Sequence, residues 1–345
     1  MRPSWIGLAV LVCALVLENT LAQTVDTSAQ GQAVAAGLGL IGMPGPRLAL
    51  QTIDGDSIDL GDLYGRKAVY LKFWATWCIP CRQQMPHFER IYQTAGADLA
   101  VIAINVGMND PAEDVRRFRD EHGIHMPIAI DDGRFAAALN LQITPQHVVI
   151  GREGRIRYVG HLADEALDTA LAEARSSLAR PIPRAKGTAR TIARHRVGDR
   201  LPDIVATTLD GQTFEARAFG LRHPTVLVFF SPWCESYLAG SRPDVGERCG
   251  QVREQVDALS RQHTDVRWLG VASGLWAVQR DLEDYRTKYD TPIPLMLDET
   301  GEWFRAFDVM DVPTVLVADA DGRLVRRVDG FDPEWPNALQ SLLTK

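Results

Sequence analysis

The chain has 345 residues, a formal net charge of −7 and 46% hydrophobic residues. The modest negative charge argues against nucleic-acid binding, and the ordinary globular composition leaves function to be sought in local sites. Once a leader is removed, about 320 residues are enough for two domains that each bury a core.

The first 22 residues have the pattern of a secretory signal peptide. Arg2 precedes an apolar run from Trp5 to Leu17, and Thr20-Leu21-Ala22 ends with a small residue. The run is short for a transmembrane helix, and an uncleaved anchor is the alternative. We therefore predict an exported protein, periplasmic in preference to secreted or signal-anchored, with no membrane span after cleavage.

The rest of the chain repeats one order of elements. Asp54 and Asp210 each begin a turn, and Cys78 and Cys234 each follow 24 residues later. This repeat predicts two copies of one α/β fold, each with a strand, helix, strand, helix, strand pair and helix. The predicted elements of the first copy are strand 69–73, helix 82–94, strand 99–106, helix 111–122, strands 127–130, 146–150 and 155–159, and helix 164–178. Those of the second copy are strand 225–230, strand 266–272, helix 278–289, strands 295–297, 312–317 and 324–328, and helix 334–343.

The second copy is longer than the first. Pro145 and Pro313 each precede a short strand, with a glycine nine residues further on. The offset between the copies is 156 residues at the cysteines and 168 residues at the prolines, so about 12 residues are inserted, within 235–248.

These boundaries divide the chain into five predicted segments. They are a signal peptide (1–22), a flexible leader rich in Gly, Ala and Gln (23–43), a first domain (44–178), a basic linker (179–196) and a second domain (197–345). For the arginine-rich connector we favour a solvated linker over a docking patch.

The segment Cys78-Ile79-Pro80-Cys81 lies between a predicted buried strand and a predicted helix. Two cysteines separated by two residues can close a small disulfide. The N-terminus of the helix stabilises the Cys78 thiolate and so lowers the pKa of that thiol. A thiolate attacks other disulfides, so the motif predicts redox chemistry. Half of a zinc site and a static bridge are the alternatives, but zinc would need a second ligand pair, and there is no other CxxC or HxxxH.

The run from Trp74 to Cys81, with Thr144-Pro145 before a later strand, resembles the thioredoxin superfamily. The hairpin at 48–58 and Met85-Pro86 after the motif resemble its exported TlpA/ResA-like branch. The resemblance covers 43–178 well and the second copy only in outline. It implies an α/β protein of two tandem thioredoxin-like folds, each with a central mixed β-sheet flanked by helices, the second degenerate.

The resemblance also implies a role for each residue around the motif. Cys78 would be the attacking thiol, and Cys81 the buried thiol that resolves the mixed disulfide. Pro145 would be in cis and pack against the disulfide, while Thr144 would offer its backbone to an extended client peptide. Trp77 would shield the motif.

Two positions depart from the family pattern. Lys72 lies where many thioredoxins have a buried acid, and Gln84 lies where TlpA/ResA-like proteins often have Glu. The usual carboxylate proton acceptor is therefore missing. A buried Lys72 could act as a base or stabilise a thiolate, but we favour the interpretation that its ammonium reaches water. His147, on the strand after Pro145, is interpreted as a structural histidine.

The second copy lacks the second motif cysteine, because Tyr237 occupies its position. Cys234 could pair with Cys249 across the insertion, act as a lone thiol in peroxiredoxin-like or glutathione-linked chemistry, or belong to a degenerate binding module. We favour the Cys234–Cys249 disulfide, since an exported lone thiol is unusual. Pro313 is the counterpart of Pro145.

We therefore predict a protein thiol–disulfide oxidoreductase that acts on protein cysteine pairs through Cys78 and Cys81, with no cofactor or metal. Apocytochrome c, a copper-site protein and misbridged secreted proteins are candidate clients, and a membrane or soluble donor would supply electrons. Residues 79 and 80 do not fix the direction of electron flow. The alternative is a client-binding or metallochaperone-like module without turnover, although no Met/His/Cys cluster suited to copper is apparent.

Overall fold

The structure is a computed structural model that describes residues 28–179, 193–217 and 223–343. The predicted signal peptide and most of the predicted linker lie outside the described residues. None of the described helices is both long enough and apolar enough to cross a membrane.

Each half of the chain contributes a similar set of elements. In the first half these are α1 (Ala29–Leu38), β1 (Ala49–Gln51), β2 (Ser57–Asp59), α2 (Leu60–Leu63), β3 (Ala68–Trp74), α3 (Ile79–Gln93), β4 (Leu99–Asn105), α4 (Ala112–His122), β5 (Ile128–Ile130), α5 (Arg134–Ala138), β6 (Gln146–Ile150), β7 (Ile156–Gly160) and α6 (Glu165–Ser176). In the second half they are β8 (Val205–Thr207), β9 (Thr213–Glu215), β10 (Thr225–Phe230), α7 (Cys234–Ser241), α8 (Pro243–Gln262), β11 (Arg267–Ser273), α9 (Gln279–Tyr289), β12 (Leu295–Asp298), α10 (Glu302–Ala306), β13 (Thr314–Ala318), β14 (Leu324–Asp329) and α11 (Trp335–Leu343).

Two five-stranded mixed sheets form the cores of the two domains. The strand order is β5-β4-β3-β6-β7 in the first and β12-β11-β10-β13-β14 in the second, so the two topologies are the same. The central strands β3 and β10 are buried at every residue, as expected for the near-continuous apolar runs of strands covered on both faces. The predicted tandem α/β fold is therefore confirmed.

The prediction of a flexible leader is wrong for Ala29–Leu38, which form helix α1 and pack against β7. A Cβ atom built on Gly37 would lie 2.5 Å from Cβ of Val159, so only glycine allows this close approach. The side-chain oxygen of Gln30 accepts a hydrogen bond from the backbone N–H of His161 at 2.7 Å. These contacts with β7 and the residue that follows it come from tertiary packing, which the composition of the segment does not reveal.

The inserted segment of the second domain is helical and lies within α7 and the start of α8. The helix is interrupted at Arg242. Pro243 cannot continue the preceding helix because its nitrogen has no hydrogen to donate, and it begins a new helix instead. The resulting helix pair α7–α8 turns Cys249 back towards Cys234, and their sulfur atoms form a disulfide with the Cα atoms 6.3 Å apart. The salt bridge from Arg253 to Glu235, at 2.8 Å, also joins the two helices.

The interpretation of the basic connector as fully solvated does not hold for its last residues. Arg194 forms ion pairs with Asp132 of the first domain at 3.4 Å and with Asp308 of the second at 2.9 Å. The backbone N–H of His195 donates to the carbonyl of Ala306 at 2.8 Å. The fold brings acidic residues from both domains to this arginine, and their convergence is not visible along the sequence.

Replacing Cys234 and Cys249 together by alanine should lower the free energy of unfolding of the second domain by about 3 kcal/mol, because the disulfide closes a loop of about 15 residues. Urea unfolding at equilibrium measures this change. The matched control is the Cys78→Ala/Cys81→Ala pair, which opens a much shorter loop and should leave the second-domain transition nearly unchanged. An unaltered transition in the Cys234/Cys249 variant would contradict the prediction.

Candidate active site

The disulfide between Cys78 and Cys81 begins helix α3. Cys78 is the N-cap, and its Sγ accepts a hydrogen bond from the backbone N–H of Cys81 at 3.3 Å. The two Cα atoms are 5.2 Å apart. In the reduced form the same amide and the positive end of the helix dipole would face the Cys78 thiolate, which stabilises negative charge on that sulfur.

A cis-proline loop and a tryptophan flank the disulfide. The Thr144–Pro145 bond is cis, and the Thr144 hydroxyl lies 3.4 Å from Sγ of Cys78. The indole N–H of Trp77 donates to the carbonyl of Met108 at 2.8 Å, which fixes the ring beside the motif. The fold thus brings together residues 77–81 and 144–145, which the sequence analysis grouped as one site.

Lys72 lies in the core beneath the disulfide. It is on the central strand β3 and has no exposed surface, so the interpretation that its ammonium reaches water is wrong. Its Nζ is 3.4 Å from the carbonyl oxygen of Cys81 and 5.3 Å from the ring centroid of Phe88. Burial lowers the pKa of Lys72 to about 7. The side chain lies inside because β3 is paired on both edges and covered by α3, a tertiary constraint that overrides the preference of lysine for water.

A chain of hydrogen bonds joins Gln84, His147 and Tyr70. Gln84 Nε2 donates to the carbonyl of His161 at 3.1 Å, which leaves Gln84 Oε1 to accept from His147 Nε2 at 2.8 Å. His147 Nδ1 then accepts from the Tyr70 hydroxyl at 2.8 Å.

Burial, followed by the charge of Lys72, holds the pKa of His147 well below its usual range. His147 is therefore a neutral imidazole with both ring nitrogens satisfied. This geometry supports the interpretation of His147 as a structural histidine, and it gives Gln84 a structural partner that sequence reasoning missed.

The second domain covers the motif of the first. Only 2% of Cys78 is exposed and Cys81 has no exposed surface. Tyr237, which occupies the position of the missing cysteine, accepts a hydrogen bond on its hydroxyl from the backbone N–H of Ile79 at 3.2 Å. The rings of Trp77 and Trp233, at equivalent positions in the two copies, lie 5.3 Å apart.

The two domains contact each other through the surfaces, or faces, that surround Cys78 in the first domain and Cys234 in the second. These contacts are related by approximate two-fold symmetry. The backbone N–H of Trp276 donates to Gln142, and that of Asn109 donates to Met310. Each acceptor lies three residues before a cis-proline, Pro145 or Pro313. Asn109 and Trp276 both have positive φ, 49° and 63°, in the loop after an equivalent strand. The two copies therefore bind each other through the same loops, as in an isologous dimer.

The side-chain amide of Asn109 makes two further bonds to the cis-proline loop of the second domain. It donates to the carbonyl of Val312 at 2.7 Å and accepts from the N–H of Val312 at 3.1 Å. The Val312–Pro313 bond is cis, so this amide occupies the backbone next to the cis-proline of the second domain. No sequence signal marked Asn109 for this role.

An arginine joins the domains beside the motif. Arg242, at the break between α7 and α8, contacts Asp114 at 2.6 Å, Asp110 at 3.0 Å and the Thr76 hydroxyl at 2.8 Å. Burial raises the pKa of Asp110, while hydrogen bonds from Asn105 and Thr76 and the charge of Arg242 oppose that rise. Sequence reasoning missed this link because its partners lie more than 120 residues from Arg242.

Each half of the chain matches a known protein family. Residues 41–159 match the model of the AhpC/TSA family, and residues 196–342 match that of the Redoxin family. Thioredoxin-like protein YneN of Bacillus subtilis is 35% identical over 133 residues, covering 38% of this chain and 78% of YneN. Thiol-disulfide oxidoreductase ResA of Halalkalibacterium halodurans is 38% identical over 109 residues, covering 31% of this chain and 60% of ResA.

A solved structure of a thioredoxin-family thiol:disulfide interchange protein from Chlorobium tepidum is 26% identical, with a TM-score of 0.35. The match covers 38% of this chain and 95% of that structure.

The chain belongs to the thioredoxin superfamily and is a thiol–disulfide oxidoreductase, as predicted. Within the superfamily it is a ResA-like protein with tandem domains. The YneN and ResA matches each cover less than two fifths of the chain, so the tandem arrangement goes beyond these relatives.

The burial of Lys72 predicts a pH-dependent stability. Its pKa is about 7 in the fold and returns to the ordinary 10.5 on unfolding. Between these values the unfolded chain binds the extra proton, so this lysine makes the free energy of unfolding rise with pH across that window. Lys72→Met should remove that rise, measured by urea unfolding at pH 7 and pH 9.5, while Lys67→Met, just before β3, should retain it. A Lys72→Met chain with the wild-type pH dependence would refute the assignment.

Proposed function

We propose that this protein exchanges disulfides with protein cysteine pairs through Cys78 and Cys81. In the reducing direction, the Cys78 thiolate attacks a client disulfide, forms a mixed disulfide and releases one client thiolate. Cys81 then attacks the Cys78 sulfur, which releases the second client thiolate and closes the Cys78–Cys81 disulfide. Two electrons pass to the client, and the oxidising direction is the reverse. The observation that carries the proposal is the disulfide at the N-terminus of α3 beside the cis-Pro145 loop.

Lys72 is proposed as the proton acceptor for Cys81. With a pKa of about 7, its amine is substantially neutral near neutral pH and can take a proton. It lies 3.4 Å from the carbonyl of Cys81, and the carboxylates that other family members offer at positions 72 and 84 are absent. After proton transfer the ammonium would stabilise the Cys81 thiolate as it attacks.

Access for a client requires the second domain to move. Since only 2% of Cys78 is exposed, a protein disulfide cannot reach its sulfur while the two faces are in contact. We propose that the second domain is a covering module held together by the Cys234–Cys249 disulfide. Both of its cysteines are largely buried, and the bond between them favours this role over lone-thiol chemistry at Cys234.

We propose an exported location, periplasmic in preference to the alternatives. Two disulfides in one chain suit an oxidising compartment. A membrane-bound or soluble donor would restore the reduced Cys78–Cys81 pair, and the clients would be exported proteins with cysteine pairs.

Substitution of each motif cysteine tests the exchange reaction. Cys78→Ser should abolish dithiol-driven reduction of a test disulfide, because the attacking sulfur is lost. Cys81→Ser should accumulate mixed disulfides with clients, since the resolving thiol is missing, and non-reducing electrophoresis detects them. Full activity in Cys78→Ser would move the chemistry elsewhere in the chain and end the proposal.

Substitution of Arg242 tests whether the second domain limits access. Arg242→Met removes the links to Asp110 and Asp114 and should speed alkylation of the reduced Cys78 about tenfold, which corresponds to about 1.4 kcal/mol of lost domain contact. Mass spectrometry of the Cys78 peptide measures the rate. The matched control is Arg280→Met on α9, whose arginine is 86% exposed and makes an ion pair within its own helix. Equal rates in wild type and Arg242→Met would contradict the covering role.

A further inference from the structure

The hydroxyl of Thr144 lies between the two domains and the disulfide. Trp276 Nε1, from the second domain, is 2.8 Å from Thr144 Oγ1, and Cys78 Sγ is 3.4 Å from the same oxygen. An indole N–H can only donate, so the hydroxyl must accept from Trp276. Its single proton is then free to point at the sulfur of Cys78.

The indole of Trp276 is held firmly in this position. Its backbone N–H donates to the carbonyl of Gln142 at 2.8 Å, and the residue has a φ of 63°. Its ring packs edge-on against Trp77, with centroids 4.8 Å apart, and against Trp233 at 5.3 Å. The direction of the Nε1–H bond is therefore fixed by backbone and ring contacts together.

We propose that Trp276 is a positioning residue for the first domain: it orients the Thr144 hydroxyl so that its proton stabilises the Cys78 thiolate. The sulfur would then accept two hydrogen bonds, from this hydroxyl and from the Cys81 amide at 3.3 Å. Hydrogen bonds to an ionised group are roughly twice as strong as those between neutral groups. The inference rests on the proposed role of Cys78 as the attacking thiol.

The arrangement links domain contact to thiol reactivity. While the faces are together, the thiolate is stabilised and covered. When they separate, Thr144 loses its fixed donor, and a less stabilised thiolate is a stronger nucleophile. The second domain, which lacks a CxxC, thus contributes a side chain to the redox site of the first.

Trp276→Phe tests the proposal in the full-length chain, because phenylalanine keeps an aromatic ring and removes the N–H. The readout is the pH midpoint of Cys78 ionisation, followed through the ¹³Cβ chemical shift of labelled cysteine and assigned by its loss in Cys78→Ser. We expect the midpoint to rise by about half a pH unit, since a tilted hydroxyl would weaken its hydrogen bond to the thiolate without abolishing it. The Cys78/Cys81 couple should become more reducing in parallel.

Two further variants separate positioning from simple loosening of the interface. Trp233→Phe removes a ring nitrogen of the same aromatic cluster that has no hydrogen-bond partner, so it should leave the midpoint unchanged. In a Thr144→Val background the Trp276→Phe effect should vanish, since the hydroxyl that relays it is gone. An unchanged midpoint in Trp276→Phe, an equal shift in Trp233→Phe or a shift that persists without Thr144 would each overturn the proposal. No client protein takes part in these pH titrations. Their outcome is therefore independent of the turnover test with Cys78→Ser, and the two proposals can fail separately.

Discussion

The other features of the site are arranged around the contact between the motif-bearing surfaces of the two domains. At this contact Cys78 is largely buried, Trp276 lies beside the cis-Pro145 loop and Arg242 is joined to two carboxylates of the first domain. A second copy of the same fold occupies the surface that carries the motif, so Cys78 and the residues that cover it belong to one chain.

The two domains share one fold and contact each other through equivalent loops. Each copy uses the loop after its second sheet strand for this contact. Asn109 and Trp276 reach the residues before Pro313 and Pro145, respectively. The contact is not fully symmetric, because one copy retains two motif cysteines and the other has Tyr237. Only the first copy therefore carries the CxxC pair, while Cys234 of the second copy is bonded to Cys249.

The electrostatics below the disulfide differ from those of a carboxylate-based site. Lys72 places a buried amine on β3 below the motif, and His147 stays neutral between Tyr70 and Gln84. When protonated, Lys72 carries positive charge that, like the α3 N-terminus, favours thiolates at the motif. The acidic groups Asp110 and Asp114 lie at the domain boundary, where Arg242 neutralises them.

Much of this protein was determined by the sequence alone. The apolar run of β3, the CxxC at its end and the later Thr144-Pro145 specify the redox site, because strand burial and helix-terminal thiol chemistry depend on nearby residues. The repeated spacing of Cys78 and Cys234 specifies the tandem fold for the same reason.

Only the tertiary structure decided that α1 is a helix, that Lys72 is buried and that the second domain covers Cys78. These outcomes depend on which surfaces meet: Trp276 and Thr144 are 132 residues apart, and Asn109 and Val312 are 203 apart. No local pattern of side chains encodes a contact of that kind, because its free energy arises only when both folded faces exist and exclude water between them.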